Sequence, residues 1–259
     1  MAQRHNRFTD TRYGKMLYNQ NDYILGKSLE QYGEWSQSEM DFLSAYIPYG
    51  GVCIDVGANV GTHTLFFANA VGPQGSVIAF EPQPIIFYLL CANIALNEHF
   101  HVSASNVAIS SSSGLIHFPY VDYQNPYNFG LVGMSAEGGY PVQSRALDDY
   151  GFASIDLIKI DVEGSEPEVI MGAVRCIEKF QPLIYSEYHP TVHSQNLAKL
   201  IQELGYDVYL HHAVSFNPEN FKGDRTNFHG DYQETNVFCV PKSKNLAVDL
   251  PKMEEWKFL

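Results

Sequence analysis

Three side chains able to hold or move a proton stand just behind two apolar runs in the C-terminal half of the chain. Asp161 follows the run 155–160, and Glu187 and His189 follow the run 182–186. A neutral imidazole can accept a hydroxyl proton near pH 7, and two carboxylates can orient it or the reacting molecule. His189 is therefore the candidate base, with Asp161 and Glu187 as candidate catalytic partners. The same three groups could instead hold a divalent cation, an option the sequence leaves open without favouring it. His189 also precedes Pro190, where it could simply cap the turn into the next helix.

A second set lies earlier, in VCIDVGANVGTHTLFF (52–67). Asp55 sits near the end of an apolar run, Gly57, Asn59 and Gly61 form a tight turn, and apolar residues at helical spacing follow. Glycines let a backbone turn sharply and approach a ligand closely, and the first turn of a helix offers free N–H groups. Glu81 closes the next apolar run, 76–80, where a carboxylate can accept both hydroxyls of a ribose. The pattern D-x-G-x-N-x-G differs from the dinucleotide fingerprint G-x-G-x-x-G, whose middle glycine admits a pyrophosphate. Adenosine without phosphate fits better, and S-adenosyl-L-methionine is the expected cofactor. Asn106, near the end of a third run, could bond the adenine edge or could form a turn.

Placing both sets at one edge requires strands alternating with helices. Apolar runs at 52–56, 76–80, 101–109, 155–160, 182–186, 206–210 and 236–240 read as strands, and helical spacing recurs between most of them. The last run has no helix before it. The expected fold is α/β, a Rossmann-like doubly wound sheet of seven strands, mostly parallel, with one antiparallel strand. Residues 1–49 show no clear strand and read as a helical cap over the cofactor edge, residues 50–241 as the cofactor-binding domain, and residues 242–259 as a tail. Within the cap, YGEWSQSE (32–39) could close over the far end of the cofactor or could simply pack Trp35 at a helix start. Ser165, Pro167 and Glu168 have the spacing of a helix cap. Residues 121–144 break the periodicity, and their Tyr123, Tyr127 and Phe129 could offer a platform to an acceptor ring or cover the sheet edge.

The chain has 16 Lys and Arg against 29 Asp and Glu, a formal charge of −13, which argues against a nucleic-acid backbone as partner. A small-molecule or glycan acceptor is expected, with no membrane partner and a cytoplasmic location, since no apolar run reaches spanning length and the N-terminus lacks a signal-peptide core. Cys53, Cys91, Cys176 and Cys239 lack metal-ligand spacing and read as free thiols.

VCIDVGANVGTHTLFFA, VIAFEPQP, the paired Asn93 and Asn97 of NIALNEH, and LIKIDVEGSEPEVIMGA together resemble the FkbM-type methyltransferases. The resemblance implies a cofactor turn at Asp55, Gly57, Asn59 and Gly61, a ribose ligand at Glu81, and a second signature at Asp161 and Glu163, so that Asp161 counts with both cofactor and acceptor groups. It also implies O-methylation of a hydroxyl on a sugar or small natural product. Two other classes share the fold: a nicotinamide-dependent oxidoreductase, and a non-catalytic protein binding an adenosyl ligand.

Overall fold

The structure, a computed structural model, describes residues 4–134, 138–188 and 192–253, the side chains of 192–196 excepted. In chain order the elements are a hairpin of β1 (Asn6–Thr11) and β2 (Gly14–Asn19), helices α1 (Leu25–Gln31) and α2 (Gln37–Ser44), then β3 (Val52–Val56), α3 (Thr62–Val71), β4 (Ser76–Phe80), α4 (Pro84–Leu96) and β5 (Val102–Ser105). Three short strands follow, β6 (Ala108–Ile109), β7 (Gly114–Phe118) and β8 (Tyr140–Arg145), and then β9 (Leu157–Ile160), α5 (Glu166–Met171), α6 (Val174–Phe180), β10 (Leu183–Glu187), α7 (Val192–Glu203), β11 (Tyr206–Val214) and β12 (Gln233–Pro241).

The main sheet has the order β11-β12-β10-β9-β3-β4-β5, with β12 antiparallel to both neighbours and β5, β4, β3, β9 and β10 mutually parallel. This is the Rossmann-like plan of the class I methyltransferases. Parallel strands are covered by helices on both faces and so are apolar almost throughout. In β3 and β9 the exceptions are Asp55 and Lys159, which stand directly opposite each other in register. Strand order reverses at β3, because the chain passes first to β4 on one side and later to β9 on the other. A crevice opens beyond the carboxyl ends at such a reversal.

The N-terminal segment, which has no strand signal in its sequence, contains the β1–β2 hairpin. Its two-residue turn, Arg12-Tyr13, lacks Asn-Gly chemistry, and most of β1 is exposed, so alternation is visible only in Met16 and Tyr18 of β2. Those two pack on Leu25, Leu29, Leu65, Ile86 and Leu89. The asparagines Asn93 and Asn97, one turn apart on α4, then bond the β2 backbone. Asn93 accepts from Leu17 N at 2.6 Å and donates to Leu17 O at 3.0 Å and Val60 O at 2.8 Å, while Asn97 makes the same paired contact with Lys15.

The third strand also differs from the sequence reading of 101–109. After Ser105 the Asn106 amide donates to the carbonyls of Glu81 and Pro82, and Val107 N turns back to Ser105 O. The chain leaves the main sheet there, and β6 joins β8 and β7 in a separate sheet of three strands. Ser165 stands at the N-cap of α5 without a side-chain cap bond. Glu166, the first residue of α5, instead folds back on the preceding turn and accepts from Val162 N and Gly164 N. The four cysteines are free. Among the described residues no helix is long and apolar enough to cross a membrane.

Asn93→Ala should lower stability by about 1–3 kcal/mol, because it strands buried backbone groups of Leu17 and Val60. A lower urea midpoint at unchanged slope would confirm this; an unmoved midpoint would not fit.

Candidate active site

A cleft of about 500 Å³ opens at the carboxyl ends of β3, β4, β9 and β10. On one side lies the turn after β3. Gly57 takes φ +78°, and a Cβ there would fall on the Asp161 carbonyl, so only glycine fits. Asn59, also left-handed at φ +49°, donates its N–H to Glu81 Oε2 at 2.9 Å, and Gln83 N donates to Oε1 at 2.8 Å. Two backbone donors thus pin the Glu81 carboxylate at the cleft wall. Burial pushes its pKa up to about 7, against the pull of those two bonds. Val107, Ala108, Ile109 and Leu131 line an apolar slot in the same cleft.

Below the turn Asp55 is fully buried. Thr64 Oγ1 donates to its Oδ2 at 2.6 Å, and Lys159 Nζ stands 3.6 Å from its Oδ1. Lys159 also reaches Asp161 Oδ2 at 3.2 Å and Gly57 O at 3.3 Å. Burial alone would lower the lysine pKa. The carboxylates of Asp161, Asp55 and Glu39 outweigh burial and keep the ammonium charged.

The opposite side is built from distant parts of the chain. Glu39 of α2 accepts from Asn236 Nδ2 at 2.9 Å and lies 3.0 Å from His63 Nε2. Burial pushes the His63 pKa down to about 4, so this contact is a hydrogen bond from a neutral imidazole and not an ion pair. Glu39 also bonds Glu234 of β12, whose Oε2 accepts from Ser36 Oγ at 3.0 Å. Burial raises both acids, Glu39 to about 7 and Glu234 further, so the pair keeps a shared proton at neutral pH. Asp161, Glu163 and Glu187 bring carboxylate oxygens within 4.8 Å of one another. Trp35, Phe228, His229 and Tyr232 complete this half.

Of the residues singled out in the sequence, Gly57, Asn59, Glu81, Asp161, Glu163 and Glu187 line the cleft. Asp55 and Gly61 lie beneath it, Asp55 in the buried ion pairs and Gly61 as the left-handed N-cap of α3. Asn106 is not in the lining, since its amide is taken up by the Glu81 and Pro82 carbonyls. His189 lies outside the described residues. Of the two readings of the 121–144 aromatics, the packing of Phe129 and Tyr123 fits a cover and not a platform in the cleft. Phe129 is fully buried, Tyr123 packs on it and bonds Gln83, and the loop offers Asn128, Gly130, Leu131 and Val132 instead. Sequence reasoning passed over Lys159, Glu234 and the buried role of Glu39. For Lys159 a signal was present, a lone charge inside the otherwise apolar LIKI.

Residues 55–208 match the model of the methyltransferase FkbM domain. The chain belongs to that family. Of the functional classes left open by the sequence, membership supports the S-adenosylmethionine-dependent methyltransferase. The chain is 27% identical over 216 residues to the methyltransferase sdnD of Sordaria araneosa, covering 68% of this chain and 81% of that protein. It is 30% identical over 154 residues to the hexuronic acid methyltransferase AglP of Haloferax volcanii, and 30% identical over 156 residues to the 2-O-methyltransferase NoeI of Sinorhizobium fredii. Those matches cover 58% and 53% of this chain and span 60% and 63% of the relatives' lengths. Among solved structures, the FkbM methyltransferase of Methylobacillus flagellatus shares the fold, with a TM-score of 0.50 at 16% identity over 82% of this chain and 50% of that one.

Lys159→Met should destabilise the protein by about 3–5 kcal/mol, since it leaves the buried Asp55 carboxylate without its cation. Chemical denaturation at pH 7 reads this directly, and a loss below about 1 kcal/mol would show that the pairing is dispensable.

Proposed function

We propose that the protein is an S-adenosylmethionine-dependent O-methyltransferase that methylates a hydroxyl of a sugar or small natural-product acceptor. The observation that carries this reading is Glu81, a carboxylate pinned by Asn59 N and Gln83 N at the wall of a cleft beside a glycine turn. The residues present fit the cofactor. Glu81 keeps acceptor capacity for two ribose hydroxyls, the slot of Val107, Ala108, Ile109 and Leu131 suits a purine, and the exposed oxygen of Asp161 suits an ammonium. When bound, the cofactor supplies a methyl group on a positively charged sulfur.

The chain's own contribution is position, exclusion of water and removal of a proton. An alcohol must lie in line with the bond being broken, and such alignment is worth up to ~7–11 kcal/mol of barrier. Asp161 and Glu187 belong at the acceptor side of the cleft and orient the hydroxyl. On sequence grounds the base is His189, two residues beyond β10. A second reading rests on the closeness of Asp161, Glu163 and Glu187, which could hold a divalent cation against the acceptor oxygens. Activity abolished by EDTA and restored by Mg²⁺ or Mn²⁺ would select it.

Glu81→Ala should weaken S-adenosylmethionine binding by about 1.5–3 kcal/mol, read by calorimetry. Burial lifts the Glu81 pKa to about 7, above its unfolded value. Its contribution to folding therefore falls as pH rises between those two values. Affinity works in the opposite direction, because the ionised carboxylate is the better ribose acceptor. Binding should tighten from pH 6 to 8 in the native protein, and this rise should be reduced in Glu81→Gln. Equal affinity and equal slope in the variants would remove Glu81 from the site.

His189→Ala should lower kcat by ~10²-fold or more with cofactor affinity retained. Near-normal turnover with an unaltered pH profile would exclude it as base.

A further inference from the structure

Among the described residues, the half of the cleft away from Glu81 gathers five acids. Glu39, Asp161, Glu163, Glu187 and Glu234 line it, and among the described lining residues the one lysine is Lys159. That ammonium is already engaged by Asp55, Asp161 and Gly57 O. His229 adds no charge at neutral pH, since burial and then Lys27 push its pKa down. Lys27 itself stands 4.0 Å over the Phe228 ring and is not in the lining. The same half is walled by flat rings: Phe228 stacks on Tyr32 at 5.2 Å, and His229 lies 4.0 Å from Phe228 and 5.7 Å from Trp35.

We propose that this cleft accepts a neutral or amine-bearing polyhydroxylated ring and rejects one that carries a carboxylate. The inference rests on the methyltransferase reading above and narrows its acceptor. A hydroxyl both donates and accepts, and so does the Glu39–Glu234 pair, which offers carboxyl oxygens together with a shared proton. Asp161, Glu163 and Glu187 accept from further hydroxyls or from an ammonium. A carboxylate only accepts, and it would meet the like charges of these half-buried acids at close range. The cofactor brings a sulfonium, an ammonium and a carboxylate, a net charge of one that the acids around it outnumber, and its carboxylate is held beside its own ammonium, which a glycan carboxylate lacks. The aromatic walls suit the apolar faces of a pyranose whatever its charge, so the acids carry the discrimination by repulsion. The Haloferax relative is named for a hexuronic acid, and a hexuronate is the acceptor class this cleft would turn away.

The test compares three p-nitrophenyl glycosides, each of the last two changed at one ring substituent: the β-glucoside, the β-2-amino-2-deoxyglucoside with an amine at C2, and the β-glucuronide with a carboxylate at C6. Their affinities for the protein saturated with S-adenosylhomocysteine are read by ligand-observed NMR at pH 7.5, beside transfer of labelled methyl from S-adenosylmethionine. The glucoside and aminoglucoside should bind at least tenfold more tightly than the glucuronide. Glu39→Gln and Glu234→Gln should each narrow that gap at least threefold, and the wild-type comparison stands whether or not a variant folds. A glucuronide bound or methylated as well as the glucoside overturns the proposal, and so does failure of all three to bind. Failure of S-adenosylhomocysteine itself to bind in calorimetry is a separate result, and it would sink the methyltransferase reading first.

Discussion

The ammonium of Lys159, buried between Asp55 and Asp161, is the contact on which the geometry of the cleft depends. Neither Lys159 nor Asp55 could be buried charged without the other, because the desolvation of each ion is several kcal/mol and is offset only by close opposite charge and hydrogen bonds. Their opposed positions on β3 and β9 are set by the ladder register, so the pair is built into the sheet and does not depend on a flexible side-chain encounter. From that point the lysine reaches Gly57 O in the turn after β3 and Asp161 in the turn after β9. One cation thereby ties together the two turns that meet at the reversal of strand order.

The two halves of the cleft are assembled in different ways. The wall that holds Glu81 is local: β3, its turn and β4 are consecutive in the chain, and the backbone N–H groups of Asn59 and Gln83 fix the carboxylate, while the apolar slot beside it comes from 107–109 and Leu131. The other half draws Glu39 from α2, Glu187 from β10 and Glu234 from β12. Its acids crowd one another, which is why burial can lift Glu39 and Glu234 far enough to share a proton.

What could be read from the sequence follows this division. The mostly parallel seven-stranded sheet was legible because buried parallel strands are continuous apolar runs and the single antiparallel strand lacks a helix before it. The glycine turn and Glu81 were legible because their chemistry is contained in short stretches. The hairpin was hidden by an exposed β1 and a turn with no glycine at its centre, and the break after Ser105 by the apolar residues 107–109 that continue into another sheet. Glu234 was hidden because β12 begins in polar residues, at Gln233. Its partner Glu39 stood in a segment already suspected, but a carboxyl pair between residues 195 positions apart has no local signature. For Asn106 the sequence left open an adenine contact and a turn, and its amide is spent on turning the chain.

A crystal structure of the protein with S-adenosylhomocysteine tests the account most directly. The account places both ribose hydroxyls on the Glu81 carboxylate, the purine in the slot of Val107 to Ile109 and Leu131, and the ammonium on Asp161. A ligand bound elsewhere, or one in this cleft with its ribose away from Glu81, would contradict it.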